Sequence, residues 1–351
     1  MATTVQPRRV VETPAPASKD GINWLNIGLM VGACGAAIAA PFHVFLFAYV
    51  VLGPLHYFTE ISWLHDRKYF TRRTPARRWW LALVVFTIFL LTLANLNPNP
   101  GDRIISPQVA TALIFLVFAG AAAAIYLRDW RKGLGLVAVL AIGFSFLSDL
   151  RAYTWAFVAV ALLTTFVHVF VFTGAFILYG ALKSRSRVAA LSLGVFVCCA
   201  IAAVALPAPF SPPTDRVRQL YTGFEFLNKV LLVFFHRDPA VYAPMGIGVM
   251  RLIAFAYLYH YLNWFSKTSI IKWHEVPRAR ARVILGSWLA GGAMFLYDYR
   301  LGLTLFYTLS MLHVFLEFPL NHQTFVDIGK ATVSFFRPQP VAHAAKSVSR
   351  A

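Results

Sequence analysis

Charge is what this sequence has least of. Asp, Glu, Lys and Arg make up 13% of its 351 residues, about half the share usual in soluble domains. Acid is the scarcer sign, with 14 Asp and Glu against 32 Lys and Arg, for a formal net charge of +18. With 59% hydrophobic residues and apolar runs of roughly 20 residues, lipid is the solvent for most of the chain. Cysteine is also scarce. Cys34, Cys198 and Cys199 all lie in apolar runs, so neither a disulfide framework nor a zinc ribbon is indicated. No apolar leader core is found in the first 20 residues, which are polar and Pro/Ala-rich, so a secretory signal peptide is not expected. No nucleic-acid module is present, and no soluble domain fits anywhere. No two histidines are adjacent. That sets aside the di-iron desaturases and hydroxylases, which need clustered histidine boxes.

What is there reads as an all-α, polytopic transmembrane helical bundle. The apolar runs are continuous rather than alternating, and lipid tolerates only helices or closed barrels. About ten spans are expected, over 22–40, 43–64, 79–97, 107–127, 133–149, 152–181, 187–207, 241–265, 281–297 and 301–319. The fifth is short and the sixth long. The positive charge then has a topological meaning. With the N-terminus inside, most of the Lys and Arg residues fall in the inner loops, which predicts both termini in the cytoplasm. Residues 1–21 read as a disordered cytoplasmic tail, 22–320 as the transmembrane domain and 321–351 as a cytoplasmic C-terminal segment, disordered from about Arg337. The longest outer loop, 208–240, begins Pro-rich and turns apolar and aromatic. Its second half suits an interfacial helix, a re-entrant segment or a lid.

Ionisable side chains inside a span are costly, by roughly 2.5–3.5 kcal/mol for a central charge. Four histidines carry that cost: His56, His168, His260 and His313, on spans two, six, eight and ten. All four spans run from outside to inside. His56, His260 and His313 lie about 8–12 Å below the inner boundary, with His168 somewhat deeper, so the four imidazoles can converge on one point. Two of them repeat a pattern, H-x3-E-x4-H, as His56…Glu60…His65 and His313…Glu317…His322. His and Glu at i and i+4 share a helix face. Each glutamate can support its histidine or bind the same metal. The outer histidine of each copy lies about 13.5 Å along the axis on the opposite face. A regular helix therefore keeps His65 out of the centre, while a break at Pro319 would leave His322 open. Imidazoles with carboxylates suit iron, and a carboxylate commonly fixes the tautomer of a ligating histidine.

A simpler role exists for each residue. A lone intramembrane histidine such as His168 also serves as a helix–helix hydrogen-bonding group. His43 is interfacial, His236 lies outside, and His65 and His274 fall in basic inner loops. The repeated pair is harder to assign to structure alone. The aromatic residues are mostly lipid-facing packing, although Tyr257, Tyr259, Tyr261 and Trp264 around His260 suit a pocket for a flat or polyene substrate.

Four segments resemble, in order, the histidine motifs of the Brp/Blh family of membrane β-carotene 15,15'-dioxygenases. They are Pro54-Leu55-His56 with Glu60, Val167-His168-Val169-Phe170, Tyr259-His260-Tyr261 through Trp264, and Leu312-His313-Val314 with Glu317. The resemblance spans about residues 50–320. It departs from the family in Leu55 after the proline, in Glu for Asp, in Trp264 where another His is usual, and in the missing acid after His168. The resemblance implies an Fe(II) centre held by His56, His168, His260 and His313, and oxidative cleavage of an isoprenoid polyene.

Two functions follow as expectations. One is an iron-dependent oxygenase of a bacterial-type inner membrane, acting on a hydrophobic lipid or carotenoid-like molecule, with Glu60 and Glu317 as catalytic acids and no organic cofactor. The other is a proton- or ion-coupled transporter using the His/Glu pairs as a relay. A scaffold without chemistry is the blandest alternative.

Overall fold

The computed structural model describes residues 19–70, 74–97, 104–127, 129–145, 150–207, 209–268, 272 and 275–336. Residues 1–18 of the tail expected over 1–21, the disordered end expected from Arg337, and His274 all lie outside these residues, while 19–21, expected in that tail, already belong to the first helix. Within them the chain is helical, without a strand. Ten long helices follow the expected spans: α1 (Lys19–Ala39), α2 (Pro41–Asp66), α3 (Pro75–Leu96), α4 (Pro107–Tyr126), α5 (Trp130–Ser145), α6 (Tyr153–Ser184), α7 (Arg187–Ala205), α8 (Pro244–Ser266), α9 (Arg278–Tyr297) and α10 (Tyr299–Phe336). Eight are long and apolar enough to cross a membrane. The other two are α5, with 16 residues, and α9, which opens on Arg-Ala-Arg-Ala-Arg.

Polar contacts at the helix ends fix the alternating course. On the face where α1 begins, Ser186 before α7 donates to Asp20 at 2.6 Å. There too, Arg280 of α9 reaches Asp66 at the end of α2 at 2.6 Å. We call this the basic face. On the opposite face, Arg251 near the start of α8 donates to the Leu206 carbonyl just past α7 at 2.8 Å, a cation at the negative end of a helix. Arg300 of α10 reaches the Leu96 carbonyl of α3.

The central pillar is α8. A helix apolar on all sides belongs inside, and 17 of its 23 residues are buried. α1, α2, α6 and α7 pack around it with one apolar cluster, while α3, α4 and α10 build a second around Trp80, Val117 and Phe315. Large side chains such as Val85, Phe86, Phe89 and Leu289 point outward, as lipid contact requires.

Two helices widen locally. α2 takes π geometry over Ala48–Leu52, directly before Gly53-Pro54. Proline has no N–H and its ring crowds the carbonyl four residues back, which a wider turn relieves. α6 is π over Leu163–Phe172, the segment that carries His168. Hydroxyls answer some of its displaced carbonyls: Thr164 bonds Val160 O at 3.2 Å, Thr165 bonds Ala161 O at 2.6 Å and Thr173 bonds Val169 O at 2.8 Å.

α10 differs from expectation. It runs without interruption through Pro319 to Phe336, well past the expected end at 319, so the segment from 321 begins as helix. The long segment between α7 and α8 holds two short helices, Asp215–Tyr221 and Glu225–Phe234. They are anchored by the fully buried pair Tyr221 and Asn228, and Asn228 also donates to Gly246 O at 3.1 Å.

Candidate metal centre

His56, His168, His260 and His313 meet in the interior, none more than 9% exposed. Their rings close a cycle. Centroids are 4.8 Å apart for His56 and His260, 5.1 Å for His260 and His168, 4.9 Å for His168 and His313, and 5.4 Å for His313 and His56. Neighbouring planes stand at 63–81°. Nε2 of His260 lies 3.1 Å from Nε2 of His56, and Nε2 of His168 lies 3.1 Å from Nε2 of His313. His56, His168 and His313 offer nitrogens that all fall within 4.8 Å of one another.

Both glutamates join this group. Glu60 Oε2 is 3.0 Å from His56 Nε2, the nitrogen that faces the other rings rather than the one that faces away. Of the two roles open to it, this geometry suits a ligand to a shared ion better than an outer support. Glu317 does not support His313, its i,i+4 neighbour. Its Oε2 lies 3.0 Å from His168 Nδ1 on α6, close but without hydrogen-bond alignment. The two carboxyl groups line the same cavity. Among the described residues their ion-pair partners are histidines alone. Two buried carboxyls in one site need a proton or a nearby cation.

The proton on His260 can be placed. The single hydroxyl proton of Thr173 goes to Val169 O at 2.8 Å, so Thr173 Oγ1 accepts from His260 Nδ1–H at 2.9 Å. His260 Nε2 is then a lone pair aimed at His56 Nε2. Glu317 sets a carboxylate 3.0 Å from the outward nitrogen of His168, Nδ1, while its Nε2 faces His313. The lone pair of His260 and three further imidazoles thus face the common point, beside a carboxylate oxygen. This donor set fits a divalent ion.

Surrounding contacts hold the rings. Tyr57 stacks on His313 at 4.3 Å and 25°, and its hydroxyl meets that of Tyr261 at 2.8 Å. Trp264 Nε1 donates to Thr59 at 3.1 Å, and Thr59 donates to His56 O at 2.9 Å. A cavity of about 430 Å³ runs from the cluster towards the basic face, touching His56, Glu60, His260 and Glu317. Its walls are largely apolar and aromatic, among them Trp63, Phe176, Ile177 and Trp264. A second cavity, about 610 Å³, lies on the opposite side of the cluster and reaches Tyr49, Tyr257 and Ser310.

The remaining histidines stay apart. His65 is exposed and pairs with Asp66 at 3.3 Å. His322 turns to α4, 3.0 Å from Phe118 O and 4.5 Å from its ring. The continuous helix through Pro319 removes the break that would have brought it inward. His236 packs on Trp155 at 5.5 Å. Thr173 and Tyr57 went unnoticed as site residues in the sequence. Thr173 had one signal, a hydroxyl five residues beyond His168 in an apolar run.

No known family, curated protein or solved structure matches this chain.

Proposed function

We propose that this protein is a membrane-embedded, iron-dependent oxygenase acting on a lipid or isoprenoid-like molecule. One observation carries the reading: four histidine rings and Glu60 converge inside the bundle and open on a chamber walled by apolar and aromatic side chains. His56, His168, His260 and His313 would hold the ion, with Glu60 beside them. Iron bound there supplies dioxygen activation. Thr173 orients His260 and Glu317 orients His168. Glu60, beside His56, is placed to hold or pass a proton at the chamber floor. Trp63, Trp264 and Phe176 exclude water from that floor. The ordered likeness to the carotene-cleaving Brp/Blh motifs supports the same reading.

Elemental analysis of the detergent-purified protein is the test. Stoichiometric iron is expected in the wild type, with little left in His56→Ala or His313→Ala. A wild-type protein that holds no metal after purification and iron loading would sink the proposal.

A second reading rests on a different observation. Tyr49 and Tyr257 line the larger cavity as neighbouring rings, Tyr257 neighbours Tyr261, and the Tyr261 hydroxyl meets that of Tyr57 at 2.8 Å. This row of tyrosines runs from the larger cavity to the His313 ring, while the other cavity leaves the far side. A proton-coupled carrier would use such a path. Proton flux in liposomes, lost in Tyr57→Phe, favours the carrier. Its absence alongside bound iron favours the oxygenase.

A further inference from the structure

The smaller cavity is not uniform along its length. Its floor is the His/Glu cluster and its middle is apolar, with Phe176, Ile177 and Trp264. At its other end stands Lys267, the residue that closes α8. Lys68, Lys183, Lys272 and Lys330 elsewhere on the basic face are exposed, whereas Lys267 is half-buried. Among the described residues it has no carboxylate partner. Burial alone pulls its ammonium pKa down to about 8, which leaves it mostly charged at neutral pH. A half-buried, unpaired ammonium is costly, and an anion at the cavity mouth would offset that cost.

The spacing sets a length. Lys267 lies seven residues beyond His260 at the end of the same helix, which is two turns, or about 10 Å along the axis. A molecule whose head sits at Lys267 therefore lays its tail along the apolar middle. A point about 10 Å down that tail meets the histidines.

We propose that the cavity takes an anionic amphiphile, with a carboxylate or phosphate head paired to Lys267 and an acyl or prenyl tail directed at the histidine cluster. This rests on reading the cavity as the substrate chamber, and it narrows the substrate class from any lipid to one with a negative head.

The full-length protein in zwitterionic phosphatidylcholine nanodiscs provides the test, with cis-parinaric acid and its methyl ester as probes. Energy transfer from Trp63 and Trp264 in the cavity wall reports binding. The wild type is expected to bind the acid about tenfold or more tighter than the ester, as a charge-assisted contact would give. Lys267→Met should abolish that preference while ester affinity stays within about twofold, and Lys267→Arg should keep most of it. Adding phosphatidylglycerol to the nanodisc separates the two sources of anion. Displacement of parinarate marks a phospholipid head as the occupant, and no displacement marks a free amphiphilic acid. Either supports a negative head. Equal affinity for acid and ester in the wild type, or a preference that survives in Lys267→Met, overturns the inference. Iron is measured on the same samples, so a protein that selects the acid but lacks metal would remove the oxygenase reading and leave this one standing.

Discussion

Glu317 Oε2 lies 3.0 Å from Nδ1 of His168, a ring carried by another helix. The contact joins α10 to the widened part of α6, on the side of the ring away from His313, which its Nε2 faces at 3.1 Å. A carboxylate in this position raises the basicity of the ring and holds its orientation. Glu317→Gln keeps the shape and removes the charge. Iron affinity is expected to fall about 10- to 100-fold, read by anaerobic titration of the purified protein. An unchanged affinity would show that Glu317 is merely packed there.

Thr173 holds His260 by accepting its Nδ1 proton. Valine has the same shape but cannot accept. Thr173→Val should lower iron affinity by about tenfold or more, and Thr173→Ser should restore most of it. Equal loss in both variants would point to packing rather than to the hydrogen bond.

Gly302 sets the closest approach of α9 and α10. A Cβ there would collide with the Cα and backbone N of Phe295, which cannot yield without parting the helices. Gly302→Ala should destabilise by roughly 1–3 kcal/mol, the usual cost of overpacking. Gly292 on α9 faces open space, so Gly292→Ala should be neutral or slightly stabilising. Thermal melts in detergent compare the two, and similar melting temperatures would contradict the close packing of this hairpin.

Lys267 gives stability a pH dependence whose sign is fixed. Burial lowers its pKa from 10.5 to about 8 in the folded chain. Between those values the unfolded chain holds the proton and the folded chain does not. Stability from this group therefore rises as pH climbs from about 8 towards 10.5, and is flat below 8. Lys267→Met should remove that rise from melting curves of the ligand-free protein. Parallel curves for variant and wild type across this window would argue that the ammonium is fully hydrated.

The residues differ in how far they could be read from the chain alone. The four histidines were visible because an imidazole in an apolar run is conspicuous, and counting residues along spans put them at similar depth. His56 and Glu60 were visible as neighbours because one helix turn relates them. The partner of Glu317 was not, since it depends on how α6 and α10 are rotated against each other. Thr173 was hidden because a threonine in a span most often bonds its own helix, as this one also does. His65 and His322 stand outside the cluster as nine-residue spacing on an unbroken helix requires. Pro319 argued for a break that packing against α4 and α6 does not permit. The wide turn in α6 has no proline to announce it, in contrast to the turn before Pro54.

Those two wide turns bear on how such a site can be inherited. Each extra residue in a helix turns everything beyond it by about 100° relative to what came before. The half of α2 before Ala48 can therefore keep one seam against α8 while the half beyond Leu52 shows His56 on another. Drift in the first half leaves the aim of the ring intact. Loss of a single codon between 48 and 52 would instead swing the ring out of the cluster without unwinding the helix. In this chain, the aim of His56 is stored as a count of residues.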